Sequence, residues 1–227
     1  MLLGRTSRSR CDKLSHVSHE KERAAIVEVG RRLHQKGLVT ATEGNISVRV
    51  GDGHLVTASG VSKGSLSPDH VIFVDREGRW AAGGPVVSSE DMMHAAIYER
   101  RPDVQAVIHA HPPTATAFAV AHVALDTAIL AESVLVLGHI PLIPYKTPGT
   151  LDLAGAVAEG LKDANVALLA NHGAVTAGTT LAQAHQRMET LEHVARVAFM
   201  AHLLGGAREL SPPEVERLMG ATTGPYR

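Results

Sequence analysis

Apolar residues at Ile26, Val29 and Leu33 fall three to four apart in a polar stretch, which predicts an amphipathic helix from His16 to His34 with Gly37 as its stop. The rhythm then changes to two. Ile46, Val48 and Val50 alternate with Ser47 and Arg49, and Gly51-Asp52-Gly53 offers a tight turn into His54 to Thr57, the pattern of a β-hairpin. A second hairpin is expected from Val71 to Asp75, the turn Arg76-Glu77-Gly78 and Arg79 to Ala81. Ser88 reads as the N-cap of a helix reaching about Arg100, with Asp91 at the third position completing a capping box. Farther on, Val104 to His109, Val134 to Leu137 and Val166 to Ala170 read as strands. Ala115 to Ala121 and Leu151 to Leu161 read as helices, and Leu181 to Leu204 as the longest helix, stopped at Gly205-Gly206.

At 227 residues the chain is long enough for one sizeable core. One domain is expected over 16–210, between an N-terminal tail of 1–15 and a C-terminal tail of 211–227. Short strands with helices at both ends, without strict βα alternation, argue against a doubly wound parallel sheet. A largely antiparallel sheet covered by helices is expected instead. Aromatic residues make up 3% of the chain, too few for a base-stacking platform, and a formal net charge of -1 gives no broad basic field. The expected partner is therefore a small molecule, with no nucleic acid and no membrane. No apolar run approaches the roughly eighteen residues that span a bilayer. Cys11 stands alone, which excludes an internal disulfide and a cysteine-based zinc site and fits a reducing cytoplasm. Arg5, Arg8 and Arg10 give the Ser-rich start a basic character, but the apolar core of a secretory signal is missing.

His109-Ala110-His111 closes the expected strand at Val104 to His109. Residues two apart on a strand face the same side, so both rings can reach one ion. A third ligand from elsewhere would give the three-ligand arrangement that leaves positions open for substrate, and His172 qualifies because it also follows an apolar strand. The chain has 14 histidines, and an H-x-H pair also arises without a metal. The chain breaks at Pro112-Pro113 and Gly173 favour a site, since strand ends opening into loops are where sites are built. His16, His19, His34, His185 and His193 sit on helical stretches and read as surface or satisfied residues, while His54, His70, His94, His122, His139 and His202 show no pattern. Glu90 has two readings, an acid in the first turn of a capped helix or a functional carboxylate. Ser88-Ser89, Thr42-Glu43-Gly44-Asn45 and Thr57-Ala58-Ser59-Gly60 offer hydroxyl and backbone donors that suit an anion such as phosphate.

In this order, Gly44-Asn45, Ser59-Gly60, Ser88-Ser89-Glu90, His109-Ala110-His111 and Asn171-His172-Gly173 resemble the class II aldolase/adducin-head family, especially its fuculose-phosphate-aldolase-like bacterial members. The resemblance runs from about Glu20 to Gly206. It implies an α/β fold of three αβα layers with a central, mainly antiparallel sheet, assembled as a homotetramer with sites at subunit interfaces. It also implies one divalent metal ion per subunit, Zn2+ first and Mn2+ or Co2+ as alternatives, held by His109, His111 and His172. Gly44, Asn45, Ser59, Gly60, Ser88 and Ser89 would hold the substrate phosphate and its neighbouring oxygens, and Glu90 would be the acid/base. The implied reaction is reversible cleavage of a ketose 1-phosphate of the fuculose, 5-deoxyribulose or methylthioribulose type into dihydroxyacetone phosphate and an aldehyde. Sugar-phosphate dehydratases, decarboxylases and epimerases of the same family are the alternative, followed by a non-enzymatic adducin-like module. Cupins also use H-x-H, but Pro112-Pro113-Thr114-Ala115 stands where their pattern wants a glutamate. The family tyrosine that follows the H-x-H pair is missing from Thr127-Ala128-Ile129-Leu130, where Glu132 is the nearby alternative. Tyr226 matches a second family tyrosine near the C-terminus.

Overall fold

The two-residue rhythm of Ile46 to Val50 becomes β1 (Asn45–Val50), and a turn at Gly51-Asp52 returns it antiparallel into β2 (Gly53–Thr57), with Val50 opposite Gly53. The structure, a computed structural model, describes residues 19–221. Before β1, α1 (Glu20–Gln35) buries Ile26, Val29 and Leu33, as their spacing predicts. The expected start at His16 lies outside the described residues. β3 (Val71–Asp75) pairs with β2, and the second hairpin does not form. The Asp75 carboxylate accepts the backbone N–H groups of Glu77 (3.0 Å) and Arg79 (2.9 Å), so the chain closes a side-chain-bonded turn instead of continuing as a strand.

The remaining elements are α2 (Asp91–Arg100), β4 (Ala106–Ala110), α3 (Pro113–Ala121), α4 (Ala131–Val136), β5 (Leu142–Ile143), α5 (Leu151–Gly160), β6 (Val166–Leu169), β7 (Gly173–Gly178), α6 (Leu181–Leu203) and α7 (Pro212–Ala221). The strand expected at Val134 to Leu137 is a correction, since that segment lies in and just after α4. A short apolar run has no period of its own. Here the buried Ser133 hydroxyl donates to the Leu130 carbonyl (2.7 Å) and closes a helical turn. Among the described residues, seven strands form one sheet in the order β3-β2-β1-β4-β7-β6-β5, antiparallel at every pairing except β5 with β6.

Alternation along the central strands builds the three layers. Ala106, Ile108 and Ala110 of β4 join Val166, Leu168 and Ala174 in a core shared with α1, α3 and α6. The intervening Val107, Ala167, Leu169 and Val175 pack on the opposite side against Met93 and Ile97 of α2 and Leu153 and Val157 of α5. Burying one such aliphatic side chain stabilises the fold by roughly 1.5–3 kcal/mol, which fixes the phase of each strand. That phase also sends His109 to the α2 side.

Candidate active site

β4 ends where β7 begins, and the three histidines meet there. His109 is fully buried on β4, and its Nδ1–H faces the Ala174 carbonyl at 3.0 Å. With the proton held on Nδ1, the Nε2 lone pair is left for a ligand bond. His111 follows the strand end and lies over Gly173, where an added Cβ would come within 2.5 Å of the His111 ring. His172 occupies the β6–β7 turn after Asn171, which takes the left-handed conformation that asparagine tolerates (φ 55°). The ring centroids stand 4.7–5.1 Å apart, and His109 Nε2 lies 3.1 Å from His111 Nε2.

Glu90 completes the group from the start of α2. The capping box expected from Ser88 and Asp91 does not form: the helix begins after Glu90, and no side chain caps it. The Asp91 carboxylate faces His54 Nε2 (2.6 Å), while that of Glu90 faces His109 (3.2 Å) and His172 (3.3 Å). Asn45 donates through Nδ2 to Glu90 Oε2 at 3.1 Å, because the register places Asn45 opposite His109. Burial works to raise the Glu90 pKa. The Asn45 amide works to lower it, as hydrogen bonding and charge from His109 and His172 would if those rings were protonated. Burial pushes His172 down to about 4 and also lowers His111, so both rings are neutral near pH 7 with lone pairs to offer. A neutral His172 lends Glu90 no positive charge, and a divalent cation among the rings would more than replace it.

The donor set fits such a cation. One nitrogen from each of His109, His111 and His172 lies within 4.8 Å of the others, making a group that can hold a metal ion. Among the described residues, the buried His172 Nδ1 and Glu90 Oε1 have no hydrogen-bond partner. Three imidazoles beside a carboxylate suit a borderline-soft divalent metal with open positions.

The sequence model for "Class II Aldolase and Adducin N-terminal domain" matches residues 24–199. The chain belongs to this family. Among curated relatives, the chain is 36% identical over 156 residues to a 5-methylthioribulose-1-phosphate/5-deoxyribulose-1-phosphate aldolase of Escherichia coli O45:K1, covering 69% of this chain and 73% of the relative. It is 33% identical over 184 residues to a 3-oxo-tetronate 4-phosphate decarboxylase of Escherichia coli K12, covering 78% and 86%. The L-fuculose-1-phosphate aldolase of Thermus thermophilus superposes with a TM-score of 0.75 at 33% identity, covering 85% of this chain and all of that one. The three-layer fold with a mainly antiparallel sheet is thus the class II aldolase fold, and the relatives named aldolases are lyases. Class II aldolases are metal-dependent, in keeping with the histidine group.

Of the other residues implied by the family pattern, Gly44 and Ser88 adjoin this centre. Gly44 precedes β1 with φ +71°, and a Cβ there would meet the His109 carbonyl oxygen at 2.7 Å, so the position is closed to other residues twice over. Ser88 Oγ accepts from Asn45 Nδ2 (3.2 Å) and from the Glu90 N–H (3.3 Å), which leaves its own proton to donate elsewhere. Ser59 and Gly60 are exposed, and the bridge of Ala58 with Val87 brings their loop beside the segment that carries Ser88 and Ser89. Ser59 N–H donates to the Val86 carbonyl at 2.8 Å. Glu132 is exposed on α4, Tyr145 is 54% exposed, and Tyr226 lies outside the described residues.

Two groups escaped the sequence reading. Glu43 sits 3.5 Å from His111 Nδ1 and accepts from Thr40 Oγ1 (2.7 Å). Its position one residue before Gly44, in a loop already singled out, was the available signal. His94 is fully buried beneath Asn45. It carried no pattern of its own, although it lies on the same face of α2 as Tyr98, one turn on.

Proposed function

We propose that this protein is a divalent-metal-dependent class II aldolase that reversibly cleaves a ketose 1-phosphate into dihydroxyacetone phosphate and an aldehyde. The observation that carries the reading is the Glu90 carboxylate set 3.2–3.3 Å from two of three convergent imidazoles. His109, His111 and His172 hold the metal, Zn2+ in the first instance with Mn2+ or Co2+ as substitutes. Bound there, a divalent cation would supply Lewis-acid stabilisation for negative charge growing on the ketone oxygen. In the condensation direction Glu90 takes a proton from the carbon of dihydroxyacetone phosphate that attacks the aldehyde, whose oxygen gains a proton as the bond forms; cleavage reverses both transfers, the substrate hydroxyl losing its proton as Glu90 returns one to carbon, and such proton transfer is typically worth about 10²- to 10⁴-fold. Asn45 keeps the carboxylate aimed inward. The free Ser88 proton, with Gly44, Ser59, Gly60 and Ser89, holds the phosphate and positions the reacting carbons by binding energy from a remote group.

Substrates of the 5-deoxyribulose and methylthioribulose type are favoured by the 36% identity to an aldolase named for both. The decarboxylase reading is kept because that relative matches a longer stretch of the chain. It needs the same metal and the same stabilisation of charge on a ketone oxygen; dehydration and epimerisation are further uses of such a site.

We take residues 16–210 as the catalytic domain and the tail 211–227 as a contributor to the site. Support comes from Leu210 N–H, which donates to the Ala128 carbonyl (2.8 Å) and brings the tail beside the segment that lacks the family tyrosine. Tyr226 is the tyrosine that this tail would supply. A homotetramer is favoured by an apolar cavity of about 660 Å³ between α3 and α6, which Phe118, Val123 and Phe199 help to line. Val120 and Leu203 leave further apolar surface on the same helices, as does Leu204 just past the end of α6. No described helix is long and apolar enough to cross a membrane, and the cytoplasm is the proposed location.

Metal content and triose-phosphate release from fuculose, 5-deoxyribulose and methylthioribulose 1-phosphates test this together. Bound metal with triose phosphate supports the aldolase. Bound metal with carbon dioxide released from 3-oxo-tetronate 4-phosphate would replace it with the decarboxylase, and a protein that takes up no divalent metal would sink both. Glu90→Gln should keep the metal and stop proton exchange.

A further inference from the structure

Behind Glu90 runs an unbroken line of buried polar side chains that ends inside the core. Asn45 Oδ1 meets His94 Nε2, His94 Nδ1 meets Ser47 Oγ (2.6 Å), and Ser47 Oγ meets the Tyr98 hydroxyl (2.7 Å). Asn45, Ser47, His94 and Tyr98 are exposed by 3%, 0%, 0% and 6%. A buried network of this kind stabilises only when every member is satisfied, and that requirement fixes the direction of each bond.

The deduction starts at the site. Asn45 turns Nδ2 toward both Glu90 Oε2 (3.1 Å) and Ser88 Oγ (3.2 Å), which leaves Oδ1, an atom that only accepts, facing His94. His94 Nε2 must then carry a proton. Burial pushes the His94 pKa down to about 3, so the ring is neutral and Nδ1 is bare. Ser47 donates to that nitrogen, which leaves its oxygen to accept from Tyr98. All four hydrogen bonds therefore point one way, from Tyr98 toward Glu90. Arg49 anchors the far end, donating through Nη2 to the Tyr98 carbonyl (2.7 Å) with its guanidinium 4.7 Å above the Tyr98 ring.

We propose that His94 is a positioning residue: as a fixed Nε2–H tautomer it locks the Asn45 amide, so that the Asn45 N–H groups face Glu90 and Ser88 and hold the carboxylate toward the histidines. Without that lock the Asn45 amide can turn over and present its oxygen to a carboxylate. The role rests on the reading of Glu90 as the acid/base, but the tautomer and the amide orientation do not.

Two measurements separate these points. In the full-length protein with ¹⁵N-labelled histidine, NMR should show His94 protonated at Nε2 and bare at Nδ1, with or without metal. Protonation at Nδ1 would overturn the proposal whatever the enzyme does. For function, His94→Gln keeps a donor toward Asn45 and an acceptor toward Ser47, whereas His94→Met keeps neither. With metal content unchanged, His94→Met should lower kcat by roughly 10- to 100-fold at a near-constant KM, the scale seen when outer-shell partners are removed, and His94→Gln should recover most of it. Equal loss in the two variants, or His94→Met turning over at the parental rate, would show that the side chain only fills space. If His94→Met does not fold, the tautomer and the His94→Gln rate still decide. If no substrate turns over at all, the aldolase reading fails while the NMR result stands by itself.

Discussion

Glu192 belongs to α6, yet it serves α3. It is 4% exposed, and its carboxylate accepts from Thr114 N–H (2.9 Å), Ala115 N–H (3.0 Å) and the Thr114 hydroxyl (2.7 Å). α3 begins two residues past His111, and Pro112 at its N-cap makes no side-chain cap. An acid from another helix therefore closes the turn that follows a metal-site histidine. Glu192→Ala would leave the buried Ala115 N–H and the half-buried Thr114 N–H and hydroxyl without this acceptor. At roughly 1–3 kcal/mol per stranded donor, partly relieved by relaxation, and with an anion lost from a helix N-terminus, the fold should lose about 3–5 kcal/mol. Glu192→Gln keeps an oxygen in place and should cost about 1–2 kcal/mol. Arg196 comes within 3.4 Å of the same carboxylate but is 62% exposed, so Arg196→Ala should stay within about 0.5 kcal/mol. Urea unfolding with a chelator present, which removes stabilisation by bound metal, reads the three variants at constant slope. A Glu192→Ala loss below about 1 kcal/mol, or one matched by Arg196→Ala, would refute the cross-helix cap.

Further outcomes follow from the same contacts. His111→Ala should empty the metal site while leaving the fold intact, read as metal per chain after dialysis; a full complement would remove His111 from the ligand set. Gly173→Ala should weaken metal retention against a chelator, because its Cβ would press within 2.5 Å of the His111 ring; unchanged retention would mean the ring can move freely. Lys63 is 1% exposed, donates to the carbonyls of Thr42 (3.0 Å) and Val61 (2.8 Å), and is pushed by burial from 10.5 down to about 8. Between those values the unfolded chain holds more protons than the fold, so stability relative to Lys63→Met should rise with pH across that window. A difference that is flat or falls there contradicts a buried, weakened amine.

Local signals in the sequence reach only as far as local geometry does. His109 and His111 were legible because residues two apart at an extended strand end face one side, His111 lying just past the last residue of β4, and His172 because its apolar strand ends in a turn. Glu90 was legible as an acid but ambiguous as a cap, since capping and catalysis ask for the same residue at a helix start. Val134 to Leu137 misled because four apolar residues suit a strand or a buried helix alike, and Ser133 decided between them through a bond to Leu130. His94 was illegible because its partners Asn45 and Ser47 lie 49 and 47 residues away. On α2 alone it is only a histidine between Met93 and Ala95.

Those distant partners are brought in by a single register. β1 runs against β4 with Asn45 opposite His109 and Ser47 opposite Val107. A slip of one residue would turn Asn45 and Ser47 to the other face of the sheet, taking away the amide that holds Glu90 and the hydroxyl that satisfies His94. The same slip would turn Ile46 out of the core it shares with Ile108. Packing and chemistry are therefore selected together: the apolar alternation that separates the layers also decides which polar groups face α2. Gly44 marks the point where the two meet, since only a residue without a Cβ lets the chain enter β1 that close to the His109 carbonyl. A change at Gly44 should then act on the site through the register, lowering stability and metal retention together, whereas His94→Met should spare the metal and reach the site only through Asn45.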